Sequence, residues 1–313
     1  MISHHVLPPL MVLALSGAVL PEQLARSRWA QEAPRTAVAG WLALTAAFVL
    51  GIAGFAVQLL LPYESSHALS NGVTGCLPWV AERCQLPAVG VLLDLSSQEY
   101  LAVGAGAAAL ALPAAALGHG LWRARRARGR HSATLRLVGR PDPALRAVVI
   151  DHATPAVYCL PGRDARVVVS SGAQGALTPS QLAAVLAHER AHIAGRHHVL
   201  VTAAETFGRL FRRLPLARLV RGEVPLLLEM AADDRALRRH ARDALATALY
   251  AMASGQQAPP AAFAAGGPSA VLRMRRILTP HRNGHPVLRG LFASAAAVGA
   301  AAPLFLACCS RLG

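Results

Sequence analysis

Lysine is absent from the 313 residues, and charged residues of any kind make up only 15%. Aromatic side chains are equally scarce at 5%, while 54% of residues are hydrophobic and mean hydropathy is +0.40. Too little charge remains to solvate the surface of an ordinary soluble protein. The five cysteines show no zinc-site spacing, which argues against a zinc finger or ribbon. Cys76 and Cys84, with seven residues between them, lie in a stretch where an oxidising exterior would permit a disulfide. Cys159 reads as a free buried thiol, and Cys308-Cys309 as small side chains ending an apolar run. No internal repeat is present.

Long uncharged runs take the place of the missing charge. They cover about 6–20, 36–61, 101–122 and 287–307. The second and third are long enough for a hydrocarbon core of about 30 Å, as is the fourth despite Arg289. The first is short and ends at Pro21. Without Lys or Arg in its first five residues, it lacks the basic start of a cleavable signal peptide. Segment 21–35 holds Arg26, Arg28 and Arg35 against Glu22 and Glu32, whereas 62–100 holds Arg83 against Glu64, Glu82, Asp94 and Glu99. Five arginines in eight residues follow Trp122. The positive-inside rule therefore predicts a multi-pass cell-membrane protein with four spans and both termini outside. Its transmembrane region is 1–122 with spans 6–20, 36–61 and 101–122 and an outward loop over 62–100. A cytoplasmic domain over 123–286 follows, then a fourth span and short tail over 287–313.

The formal charge of +15 is concentrated in 123–286, where 25 arginines face 10 acidic residues. No aromatics interleave with those arginines as a stacking surface for nucleic acid would require, so no nucleic-acid partner is expected. The expected partner of this charge is the anionic face of the lipid bilayer.

The domain opens with strand patterns at 134–138, 147–150, 155–160 and 165–171. Pro161-Gly162-Arg163-Asp164 reads as a hairpin turn, and the β-branched run Val167-Val168-Val169 as a strand buried on both faces. Thr178-Pro179-Ser180-Gln181 then starts a helix, with an N-cap Thr, Pro at the first helical position and Gln closing a capping box. Further helices are predicted at about 199–213, 225–252 and 269–278, with a flexible loop over 255–268.

On the capped helix lies His188-Glu189-Arg190-Ala191-His192, an H-E-x-x-H run. Two imidazoles four residues apart share one helix face and can hold one metal, and the adjacent Glu can act as general base. A catalytic zinc needs a third protein ligand. Glu229, in Glu229-Met230-Ala231-Ala232-Asp233, is the first candidate, and Asp233 one turn on is placed to orient a ligand histidine. His197, His198 and His240 compete for the third position; His197 and His198 are expected to point away from His192. Arg275 and Arg276 are candidate transition-state stabilisers, against a plainer reading as a basic amphipathic helix on the membrane surface. A substrate strand is expected to add beside the 165–171 edge.

"LTPSQLAAVLAHERAHIAGRHH", "EMAADDRAL" and the four-span layout resemble the BlaR/MecR-type integral-membrane zinc metallopeptidases, which are related to HtpX-like proteases. The resemblance implies an α+β zincin-like domain on the cytoplasmic side and a Zn²⁺ cofactor. His188, His192 and Glu229 would be its ligands, Glu189 the base and Asp233 the residue behind a ligand. The implied substrate is a protein or peptide, in this family a transcriptional repressor. HtpX-like quality control of membrane proteins is the alternative, and a catalytically silent sensor or scaffold the reading from another class. Sensors of this family continue after the last span into a penicillin-binding domain; with Gly313 as the last residue, a member without that sensor is expected.

Overall fold

The computed structural model describes residues 10–27, 29–60, 96–255 and 270–279. The expected fourth span, the 256–268 part of the loop, and Cys76, Cys84, Cys308 and Cys309 lie outside the described residues. A π turn, Leu15–Val19, leads into helix α1, Leu20–Arg26, followed by the short α2, Trp29–Glu32. Helix α3, Pro34–Leu60, and helix α4, Ser97–Val138, are, among the described residues, the two long and apolar enough to cross a membrane. Leu101 and Leu112 of α4 are 68% and 66% exposed, whereas α3 buries Val38, Trp41 and Phe48 and exposes Leu59 in its last turn.

Helix α4 starts at a capping box, with Glu99 N–H donating to Ser96 Oγ and Ser96 N–H to Glu99. Its 42 residues reach about 63 Å, twice a hydrocarbon core, so the arginine-rich half projects well beyond an apolar half ending at Trp122. The strand expected at 134–138 is the last turn of this helix. Leu135 is buried but Leu137 is 87% exposed, so the alternation there does not track burial. No proline or glycine lies between Gly129 and Gly139, and a helix already nucleated propagates to it. A Cβ at Gly139 would overlap Val148, so glycine lets the chain turn directly into the sheet.

The sheet has order β1-β2-β4-β3, from β1 (Gly139–Asp142), β2 (Ala147–Ile150), β3 (Val157–Leu160) and β4 (Arg166–Ser170). β1 and β2 are antiparallel, β2 and β4 parallel, and β3 and β4 antiparallel. Val167, Val168 and Val169 are all buried, as a central strand requires. The 166–170 strand is therefore internal, and among the described residues the edge strand beside it is β3. Pro141 sits on the opposite edge, where a missing N–H is tolerated.

Four helices complete the described domain after a short α5, Ser171–Ala176: α6 (Pro179–Ala194), α7 (His197–Leu210), α8 (Pro215–Ala236) and α9 (Arg242–Gly255). A further helical segment, α10, covers 270–278. The helix expected over 225–252 is thus two helices, and Pro225 lies inside α8 rather than at its start. The buried stripe Leu216, Val220, Val224, Leu227 and Met230 runs through Pro225 at helical spacing, and its burial outweighs one lost backbone hydrogen bond.

Two larger hydrophobic cores result, with smaller ones joining α6 to α8 through Ala184 and Ala236 and backing the sheet through Leu135, Leu160 and Val168. Of the larger two, one joins the sheet to α6 through Val157, Val167, Val169, Leu182, Val185 and Leu186. The other joins α8 and α7 to the N-terminal helices through Leu24, Val38, Trp41, Phe48, Phe207 and Leu216.

Candidate metal centre

Helix α6 presents its histidines where its cap and packing place them. Gln181 N–H donates to Thr178 Oγ1 and Thr178 N–H to Gln181 Oε1, closing the capping box. Leu182, Val185 and Leu186 then face the sheet, which leaves His188 and His192 turned towards α8. Their Nε2 atoms lie 3.1 Å apart. Glu229 of α8 closes a triangle at 3.4 Å from His188 Nε2 and 3.3 Å from His192 Nε2.

Zinc fits this triangle. Tetrahedral bonds of about 2.0–2.1 Å separate neighbouring ligand atoms by about 3.3 Å, close to all three observed edges. Two imidazole nitrogens and a carboxylate facing one another also suit a divalent cation, once His188 gives up its proton. Each histidine is oriented from behind. His188 Nδ1 lies 2.9 Å from Asp233 Oδ1, a charge contact that favours a hydrogen on Nδ1 and, with metal bound, leaves Nε2 as the free lone pair.

His192 is oriented by a residue that sequence reasoning had turned away. His197 Nδ1 lies 2.9 Å from His192 Nδ1, so one ring donates and the other accepts. With Nε2 of His192 facing the triangle, Nδ1 carries its hydrogen and donates to His197. The chain achieves this by reversing at Gly195 and Arg196, the latter in the left-handed region at φ 49°. A Cβ at residue 195 would overlap the His197 ring, so Gly195 is the sequence signal for this close return. His240 lies in the turn after α8, away from the triangle, and His198 faces a separate cavity.

Arg273 of α10 is the second residue missed. Its guanidinium donates to both Asp233 oxygens at 2.9 and 2.8 Å and meets Glu229 at 2.8 Å. The two arginines proposed from the sequence do not reach the triangle. Arg276 donates to Asp234 at 2.6 and 2.9 Å and to the Gln31 carbonyl at 2.7 Å, while Arg275 is exposed. Residues 273 and 276 are one turn apart on the same face of α10, with 275 turned off it. Docking on Asp233 and Asp234 selects that pair.

The electrostatics follow from burial and these partners. Burial disfavours the charged form of His188, but the hydrogen bonds to Asp233 and Glu229 outweigh it and hold its metal-free pKa up to about 9. Burial pushes His192 down to about 4, with His188 and His197 adding to the effect. Glu229 and Asp233 are held near 2 against burial, by His188 and Arg273. Burial raises Glu189 above its ordinary range, towards that of a general base. Cys159 is free and half-buried. Burial, then Glu189, pushes its thiol up to about 12, so it stays neutral beside that carboxyl. Val157 and Cys159 share the helix-facing side of β3, so Glu189 looks onto the β3 edge of the sheet.

Residues 122–221 match the sequence model of Peptidase family M48. No curated protein and no solved structure matches the chain. The matched segment begins at Trp122, takes in the sheet, α6 and α7, and ends within α8 before Glu229. The chain is a metallopeptidase.

Proposed function

We propose that this metallopeptidase is a membrane-anchored zinc endopeptidase that cuts an extended segment of a cytoplasmic or membrane-associated protein. The observation that carries this reading is the position of Glu189. It follows a triangle histidine in sequence and meets Cys159 on the edge strand β3. A peptide added to that edge can run past the site in both directions, which favours cleavage within a chain over trimming of its ends.

His188, His192 and Glu229 would hold the zinc, which when bound supplies Lewis-acid polarisation of a carbonyl and a water of lowered pKa. Glu189 takes a proton from the attacking water and delivers it to the departing amine. Its raised pKa suits both halves of that transfer. Asp233 and His197 keep the ligand rings in the tautomers that leave Nε2 free. Arg273 neutralises Glu229 and Asp233 and holds them in register.

The arginine run directly after the apolar half of α4 supports a cytoplasmic active site. Repressor cleavage is the substrate reading that the BlaR/MecR resemblance implies. A second reading, HtpX-like clearance of membrane proteins, is favoured by the packing of α8 directly on α3, which sets the site beside apolar helices.

The test is Glu189→Gln in the full chain. Zinc content should stay at about one per chain, while cleavage of an unfolded protein substrate falls by about 10²–10⁴-fold. Cleavage undiminished in that variant would sink the reading of Glu189 as the base, and no cleavage by the unsubstituted, zinc-loaded protein would favour a silent scaffold.

A further inference from the structure

Beside the metal centre, where the arginine-rich end of α4 meets the β3–β4 turn and the α6–α7 corner, lies an open cavity of about 700 Å³. Arg125, Arg128 and Arg136 line it from α4, Arg163 from the turn, and Arg196 and His198 from the corner. Asp164 is its one lining carboxylate, and Arg136 takes that partner at 3.3 Å. Four guanidinium groups from three elements are left without an acidic partner among the described residues.

The crowding is felt within the cavity. Burial, then Arg128 and Arg196, disfavours protonation of His198, and His198 Nδ1 is buried with no hydrogen-bond partner among the described residues. Arg196 is held in the left-handed region, a conformation that non-glycine residues adopt at functional corners. Cationic groups that leave one another unneutralised call for an anion.

The cavity is separate from the metal triangle but begins one helical turn from Glu189 and at the end of β3. Leu160 lines it from β3, next to the Cys159 that meets Glu189, and Ile193 lines it from α6, one turn beyond Glu189. A peptide on the β3 edge with its scissile bond at Glu189 advances about 3.3 Å per residue, so a residue three or four positions away reaches Gly162–Arg163 after about 10–13 Å. Arg128 and Arg136 lie about 9 and 21 Å along the helix beyond Trp122, past a headgroup layer of about 5–8 Å, whereas Arg125 lies within that layer. That depth favours a peptide carboxylate over a lipid headgroup.

We propose that this cavity is a specificity subsite for an acidic side chain, so that the enzyme selects Asp or Glu three or four residues from the bond it cuts. The inference rests on the endopeptidase reading with substrate along β3. It is tested with full-length Glu189→Gln protein in detergent, by the fluorescence anisotropy of labelled peptides that differ only in Asp versus Asn three and four positions either side of the central bond. Arg125→Glu combined with Arg163→Glu supplies the charge reversal at two exposed positions on separate elements, and Arg125→Gln with Arg163→Gln the milder version should reversal unfold the protein.

The Asp peptide should bind about tenfold tighter at low salt, with the preference lost in the arginine variants and at high salt while the Asn peptide is unaffected. Equal binding of both peptides to the unsubstituted cavity overturns the proposal, as does an equal loss of both in the variants. An intact peptide preference in variants that lose affinity for phosphatidylglycerol over phosphatidylcholine vesicles also overturns it, and makes the cavity a lipid surface. If the Asp preference holds but wild-type protein cuts neither peptide, the endopeptidase reading fails and the acidic subsite stands.

Discussion

The two helices that build the metal centre are held by different cores. Helix α6, with His188 and His192, is backed by the sheet through Leu182, Val185 and Leu186. Helix α8, with Glu229 and Asp233, is backed by the N-terminal apolar helices through Leu216, Val220, Leu227 and Met230 against Leu24, Val38 and Trp41. Only the His188–His192 edge of the triangle lies within one helix; the other two cross between the cores. Helix α8 thus takes much of its support from the N-terminal apolar helices, beside a small core that joins it directly to α6 through Ala184 and Ala236. Arg276 reinforces the link by joining Asp234 of α8 to the Gln31 carbonyl of α2.

The strongest way to break this comparison is to empty the second core alone. Trp41 is fully buried, and Trp41→Ala should cost about 3–5 kcal/mol. Because Trp41 supports α8 and not α6, zinc affinity should fall along with the melting temperature. A melting temperature that drops with zinc affinity unchanged would mean that the two halves are not coupled through this core.

A smaller effect is expected from Asp233→Asn, which removes the negative charge behind His188 and leaves the triangle atoms in place. Zinc affinity should fall by about 10–100-fold, read by competition with a chelating dye, and Asp233→Glu should recover less than half of that loss on a logarithmic scale. No loss in Asp233→Asn would show that α8 contributes Glu229 alone.

The smallest effect concerns protons and separates the two α6 histidines. His188, raised from 6.5 to about 9, is protonated at pH 7 in the metal-free protein, whereas His192, lowered to about 4, is not. Zinc needs both lone pairs, so loading at pH 7 should release about one proton, from His188, and affinity should climb with pH until about pH 9. Calorimetry in buffers of different ionisation enthalpy checks this; a binding heat independent of buffer would contradict it. In the metal-free protein the same raised pKa gives stability that is fully present below pH 6.5 and lost as pH rises through about 9. The metal-free melting temperature should decline across that window.

Local signals were the legible ones. Thr178, Pro179 and Gln181 announce α6, and the four-residue spacing of His188 and His192 places both on one face whatever the rest of the chain does. Glu229 was legible for a related reason, as a carboxylate following an apolar run with Asp233 one turn on. His197 was misjudged because a straight extension of α6 carries it away from His192, whereas the chain reverses at Gly195 and Arg196. The strand expected at 134–138 failed because an alternation of side chains has no force against a helix already running.

The sequence by itself determined the ligand types, the helix that carries two of them and the two apolar helices, since each depends on residues within a few turns of one another. Tertiary structure alone decided that Glu229 meets the histidines, that Arg273 rather than Arg275 or Arg276 pairs with it, and that β3 rather than β4 is the edge strand. Those outcomes depend on how separate elements dock. Docking is set by the summed burial of side chains far apart in sequence, which no local pattern encodes.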